Sequence, residues 1–111
     1  MFIVATNPQF THTVPILVPS DGGHLNQSLK VTFRVVDSDE EHAEKFDLAT
    51  IAGSIGFCRE VIVSLDDLVD ADNKPMSYSD EIRDRLLKVP YIRTAIARAY
   101  YEAMTKATVG N

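Results

Sequence analysis

The first third of the chain alternates apolar and polar residues with a period of two, which predicts β-strands. The stretch HTVPILVP places three apolar side chains on one side of a strand: Val14, Ile16 and Val18. A second stretch, LKVTFRVV, does the same with Leu29, Val31, Phe33 and Val35. The glycines of the intervening Ser20–His24 segment favour a turn, so the two strands should form a hairpin with one apolar face. Pro15 has no N–H to donate to a ladder, and it therefore places the first strand at a sheet edge.

Helical spacing of apolar residues begins after the hairpin. The capping box SDEE predicts that a first helix starts at Ser38, and Gly53 and Gly56 then interrupt or end it. The stretch IGFCREVIVSLDDL predicts a second helix, because its apolar residues recur at helical intervals. The β-branched run Val61–Val63 within it also fits a strand, so this element has two readings.

Two further helices are predicted towards the end of the chain. Ser79 is the expected N-cap of a short helix, and Pro90 occupies the permitted first position of the last one. The predicted fold class is α+β, with an N-terminal β-hairpin followed by a small bundle of about four helices packed on it. We expect a single domain over 1–111, comprising a β-hairpin region at 1–36, a helical region at 37–107 and a frayed tail at 108–111.

Composition narrows the classes of function. The 111 residues carry a net charge of −5, which argues against a nucleic-acid partner because phosphate neutralisation needs clustered Lys and Arg. The single cysteine, Cys58, excludes an internal disulfide and suits a reducing cytoplasm. The start of the chain does not resemble a signal peptide, and no apolar run approaches the roughly 20 residues that span a bilayer. We therefore expect an intracellular protein with no membrane partner.

The segment DADNKPMSYSDE, from Asp70 to Glu81, is the strongest candidate for a metal site. Acidic residues match positions one, three and twelve of a calcium-binding loop. Position five, however, is the cation Lys74, and position six is Pro75 where the loop requires glycine. We interpret the segment as a polar turn that leads into the helix capped by Ser79.

Other catalytic and binding chemistry finds no support in the sequence. The three histidines, His12, His24 and His42, lack the spacing of metal ligands. Cys58 lies on an apolar helical stripe, which predicts a buried and inert thiol. AGSIGF has neither the lysine nor the spacing of a phosphate-binding loop. We expect no catalytic residue, no metal and no cofactor.

The order of motifs from Leu68 to Ala103 resembles the C-terminal half of small tail assembly chaperones of long-tailed bacteriophages and prophages. The matching motifs are Val69-Asp70, Lys74-Pro75, Tyr78-Ser79-Asp80-Glu81, Leu86-Leu87, Pro90, Ile92-Arg93, Ala95 and Ala99-Tyr100. The opening NPQFTHTVPILVPSDGG is also similar to the start of that family. The chain departs from the family at Leu65, where an aromatic residue often precedes the acidic turn.

The resemblance implies a non-catalytic protein that binds the tape-measure and tail-tube proteins during tail assembly. It implies action in the cytoplasm of the bacterial host and absence from the mature virion, with a homo-oligomer as a further option. The alternatives are another phage minor tail or head–tail joining protein, or an unrelated small protein-binding module. Candidate interaction residues are the apolar face of the first strand and three tyrosines: Val14, Ile16, Val18, Tyr91, Tyr100 and Tyr101.

Overall fold

The computed structural model describes residues 1–37 and 46–106. These residues form a three-stranded antiparallel sheet, a two-stranded sheet and three helices, so the α+β class is confirmed. The elements are β1 (Gln9–Ser20), β2 (Gly23–Arg34), α1 (Ile51–Val61), β3 (Ile62–Asp66), β4 (Leu68–Val69), β5 (Pro75–Met76), α2 (Asp80–Leu87) and α3 (Pro90–Thr105). The predicted number of about four helices is too high for the described residues. The Ser38 capping box and the tail at 108–111 lie outside them.

The N-terminal hairpin is confirmed and is longer than the sequence pattern indicates. Its strands pair over 12 residues each, from Ser20 opposite Gly23 to Gln9 opposite Arg34. Gly22 completes the turn at a φ of 75°, a conformation that glycine adopts without steric cost. The larger sheet has the order β1-β2-β3, so β1 lies at its edge as Pro15 predicts.

The predicted second helix is wrong in its second half. The helix ends at Val61, and Ile62–Asp66 forms β3, which pairs antiparallel with β2. The register shifts between Thr32 and Phe33, as in a β-bulge. Because of this irregularity, Ile62 and Leu65 are both buried although they are three residues apart. The bulge therefore produces in a strand the spacing that is typical of a helix.

Helix α1 begins at Ile51, before the predicted start of the second helix at Ile55, and contains the two glycines that were expected to interrupt or end the first helix. Thr50 is its N-cap and accepts a hydrogen bond from the Gly53 N–H through Oγ1 at 2.9 Å. The Asp47 carbonyl accepts from both the Thr50 N–H and the Thr50 hydroxyl. A Cβ at position 53 would collide with the Asp47 backbone. The glycine thus allows the preceding loop to pack directly against the first turn of the helix.

The two C-terminal helices are confirmed. The Ser79 side chain accepts from the Ile82 N–H at 3.2 Å and caps α2, and Pro90 is the first residue of α3. None of the helices in the described ranges has both the length and the apolar character needed to cross a membrane.

One hydrophobic core joins the hairpin, β3 and the helices. Its fully buried side chains come from distant parts of the chain: Val14, Val31, Phe33, Cys58, Val61, Ile62, Leu65, Leu87 and Ile96. Tyr100 of α3 closes the core beside Phe33, with ring centroids 5.6 Å apart. Its hydroxyl accepts a hydrogen bond from the Val36 N–H at 3.1 Å, which ties α3 to the end of β2.

Candidate protein-interaction surfaces

The acidic segment that resembles a calcium loop is a compact turn between β4 and β5. Asp70 Oδ1 accepts hydrogen bonds from the backbone N–H groups of Asp72 at 2.8 Å and Lys74 at 3.0 Å. The Asp70 N–H donates to the Lys74 carbonyl, and Asn73 adopts a left-handed conformation at a φ of 60°. The predicted polar turn is confirmed, and this carboxylate stabilises it. The described ranges contain no cluster of three or more His, Cys, Asp or Glu side chains arranged to hold a metal ion.

Cys58 is a buried thiol, as predicted. Its side chain is fully inaccessible between α1 and α3, and Sγ lies 3.9 Å from the Arg93 carbonyl oxygen. Burial raises the pKa of Cys58 from 9.0 to about 11, against a smaller lowering by the Arg93 charge. At neutral pH the thiol is protonated and inaccessible, so it is not a nucleophile in this conformation.

The six candidate interaction residues divide into core and surface positions. Val14, Ile16 and Tyr100 are buried in the core and present almost no side-chain surface to a partner. These three side chains are therefore core residues in this conformation, because the helices and the sheet pack around them. Val18 is half-buried towards the hairpin tip.

The other two candidates, Tyr91 and Tyr101, are exposed by 37% and 43%. They lie near opposite ends of α3 and belong to separate surfaces. The adjacent residues Tyr100 and Tyr101 face different surroundings, since Tyr100 is buried and Tyr101 is exposed.

Two exposed side chains, Leu48 and Met104, and the half-buried Phe57 lie around Tyr101. We call these four residues the Tyr101 surface. The Phe57 and Tyr101 rings stack with centroids 5.4 Å apart and an interplanar angle of 3°. Phe57 also meets the buried Tyr100 ring edge-on at 5.5 Å, so the core fixes the position of the stacked pair. Partial burial raises the pKa of Tyr101, and the neighbouring Tyr100 and Cys58 add to this effect.

A cavity of about 300 Å³ opens at the Tyr101 surface between α1, α3 and the end of β2. Apolar and aromatic side chains dominate its lining, and two carboxylates also contribute: Val36, Asp37, Phe46, Leu48, Phe57, Glu60, Val61, Tyr100, Tyr101 and Met104. Concave apolar sites with a few polar groups are typical binding sites for a partner's side chain.

Sequence reasoning missed Leu48, Phe57 and Met104. They come together with Tyr101 only because α1 and the turn before it, which contains Leu48, meet α3, and their local pattern carries no signal of this meeting. The exposed tyrosine was the one member of this surface that the sequence indicated.

A second apolar feature is a groove between β1 and α3, which we call the strand-edge groove. It consists of two open depressions of about 600 and 710 Å³ that share Pro15, Ala99 and Glu102. Small side chains of α3 line its floor, and Leu17 and Tyr91 lie at one end. Leu17 is 59% exposed, on the opposite side of the strand from the buried Val14 and Ile16.

Comparison with known proteins assigns no function to this chain. No protein-family model, curated protein or solved structure matches the chain.

Proposed function

We propose that this chain is a non-catalytic tail assembly chaperone of a long-tailed phage or prophage. In this proposal it binds the tape-measure protein through the Tyr101 surface and brings tail-tube subunits to it during assembly. The observation that carries the proposal is the Tyr101 surface itself, where the exposed Tyr101 ring stacks on the half-buried Phe57 ring beside an apolar cavity of about 300 Å³. Hot spots of protein–protein interfaces are enriched in such aromatic residues beside pockets.

The motifs that resemble the chaperone family support the proposal through their places in the fold. Asp70 organises the β4–β5 turn, Ser79 caps α2, and Pro90 begins α3. Together they set the course of the chain into the helix that carries Tyr100 and Tyr101. The motif residues thus act as structural determinants of the surface, which is consistent with a role that needs no reactive group.

The expected partner suits this surface. The resemblance implies a tape-measure protein that is a long helical chain, and an amphipathic helix presents apolar side chains at regular intervals. Burial of one such side chain in the cavity would contribute about 1.5–3 kcal/mol. An interface with few such anchors dissociates readily, as required of a protein that leaves before the virion matures. The net charge of −5 would help to keep the assembling complex soluble.

A pull-down from bacterial cells that co-express the tape-measure protein tests the proposal. The wild-type chain should retain tape-measure fragments, and Tyr101→Ala should reduce retention because it removes half of the aromatic pair. Tyr91→Ala is the matched control, since Tyr91 is similarly exposed on the same helix but outside the Tyr101 surface. We expect this control variant to bind as the wild type does.

Three outcomes would contradict the proposal. Absence of tape-measure retention by the wild-type chain would remove the chaperone function. Retention of a minor tail or head–tail joining protein in its place would support that alternative. Loss of binding in Tyr91→Ala and not in Tyr101→Ala would place the interface at the strand-edge groove. The gene order gives an independent check, because a chaperone gene should lie just upstream of a very long tape-measure gene.

A further inference from the structure

The edge of β1 that faces away from β2 carries a regular row of backbone N–H and C=O groups. The Val35 N–H donates to the Pro8 carbonyl at 3.0 Å, and the strand register continues from there to Ser20 opposite Gly23. In an antiparallel pair, alternate residues direct both backbone groups towards the neighbouring strand. Even-numbered residues of β1 therefore face β2, and odd-numbered residues direct their N–H and C=O groups away from it. No strand in the described residues pairs with this second side.

Proline restricts where this edge can pair. Pro15 and Pro19 both occupy odd-numbered positions, which agrees with the alternation because they have no N–H to give to β2. They also remove two outward donors from the C-terminal half of the strand. The N-terminal half keeps three consecutive outward donors: Gln9, Thr11 and Thr13. Only this half offers an uninterrupted ladder to an added strand.

The β1 edge also lacks the charges that usually protect an edge strand. The 12 residues of β1 include no Asp, Glu, Lys or Arg, in a chain whose net charge is −5. Two copies can therefore meet along β1 without like charges in opposition. With Thr11 opposite Thr11 on a two-fold axis, Gln9 of each copy lies opposite Thr13 of the other. Every outward donor of this half then has an acceptor, and cross-strand threonine pairs are favourable.

The same two-fold axis brings together two apolar features that one chain leaves exposed. The N-terminal arm, residues 1–4, is almost fully exposed along an apolar run of Met1, Phe2, Ile3 and Val4. The chain bends at Thr6 and Asn7, where Asn7 has a φ of 55°, so the arm departs from the line of β1. In the antiparallel pair the arm of each copy leaves from its Gln9, opposite Thr13 of the other copy, at the end of the paired segment that leads to Leu17 and the exposed Tyr91.

From these observations we propose that the chain forms a symmetric homodimer by antiparallel pairing of the Gln9–Thr13 segments of two copies. The two three-stranded sheets then join into one continuous sheet, with β1 beside its counterpart at the centre. The strand-edge groove of each copy has room for the incoming side chains, and the N-terminal arm of the other copy covers Leu17. This inference does not depend on the chaperone function, because it concerns a different surface.

Sedimentation velocity over a range of concentrations tests the dimer with two variants at one position. Thr13→Pro removes an outward N–H that β2 does not use, as the natural Pro15 does two residues later. It should give a monomer with the far-UV circular dichroism of the wild type. Thr13→Val keeps the N–H and should remain dimeric. A wild-type chain that stays monomeric up to its solubility limit, or a dimeric Thr13→Pro variant, would overturn the proposal.

A second pair of variants tests the contribution of the arm and the groove. Leu17→Asp should weaken dimerisation by about tenfold or more, because it places a charge where the arm packs. Leu25→Asp is the control, since Leu25 is 55% exposed near the same hairpin tip but lies on β2. Equal weakening by both substitutions would overturn the proposed contact between the arm and Leu17.

Amide hydrogen exchange keeps the proposal testable if Thr13→Pro fails to fold. The wild-type amides of Thr11 and Thr13 should become protected as the protein concentration rises, whereas those of His12 and Val14 should be protected throughout. Rapid exchange of Thr11 and Thr13 at every concentration would refute the pairing.

Discussion

Replacement of Tyr100 by phenylalanine tests whether this residue stabilises the core, as its position indicates. The substitution keeps the ring between Phe33 and Phe57 but removes the hydroxyl that accepts from the Val36 N–H at 3.1 Å. Tyr100 is only 4% exposed, and phenylalanine keeps the ring that it contributes to the wall of the cavity at the Tyr101 surface. The effect of Tyr100→Phe should therefore appear in stability and not in binding.

The size of the effect follows from the surroundings of the lost hydrogen bond. A buried donor left without an acceptor costs about 1–3 kcal/mol. Val36 is half-buried, so water can replace part of the interaction and the cost should be near the lower limit, about 1 kcal/mol. For a domain of this size that corresponds to a decrease in Tm of about 4 °C. Tyr100→Ala, which also removes the ring, should cost about 3–5 kcal/mol.

Urea denaturation followed by circular dichroism measures these differences. Tyr101→Phe is the control, because the 43% exposed Tyr101 should change the free energy of unfolding by less than about 0.5 kcal/mol. The slope of the free energy of unfolding against urea concentration should be the same in the wild type and in the three variants Tyr100→Phe, Tyr100→Ala and Tyr101→Phe. If Tyr100→Phe unfolds at the wild-type urea concentration, the hydrogen bond to Val36 does not stabilise the fold and the reasoning is wrong.

Two further predictions concern α1. Gly53→Ala should destabilise the protein in the same urea assay, because the new Cβ meets the Asp47 backbone. This is the opposite of the usual effect, since alanine is favoured over glycine in a helix by about 1 kcal/mol. Gly56→Ala is the control: its Cβ would meet only the Phe46 ring, which can move, so a larger loss in this variant would contradict the argument. For Cys58, whose pKa rises to about 11, the free energy of unfolding should fall by about 2–3 kcal/mol between pH 9 and 11, because the unfolded chain loses the thiol proton first. Below pH 9 the thiol keeps its proton in both the folded and the unfolded chain. Cys58→Ala should remove this part of the pH dependence. Identical slopes of the free energy of unfolding against pH in the wild type and Cys58→Ala would refute the prediction.

Local chemistry determined several parts of this fold that the sequence predicts correctly. Residue alternation sets which face of the hairpin is apolar, and Pro15 sets its first strand at the edge, because both effects act within one strand. The Ser79 cap and the Pro90 start of α3 are equally local, since each involves a single turn of helix. The turn at Asp70 follows from its own side chain.

Tertiary structure decided the features that depend on distant residues. The strand β3 has helical spacing of Ile62 and Leu65 because the pairing with β2 is irregular, and only the partner strand makes that visible. Gly53 is required by the Asp47 backbone packed against it, not by the helix. Tyr100 and Tyr101 have equivalent local sequence, yet the packing of α3 buries one and exposes the other beside Phe57. Periodicity and capping depend on neighbours along the chain, whereas burial and surface shape depend on which elements meet in space, and a single sequence carries no direct record of that meeting.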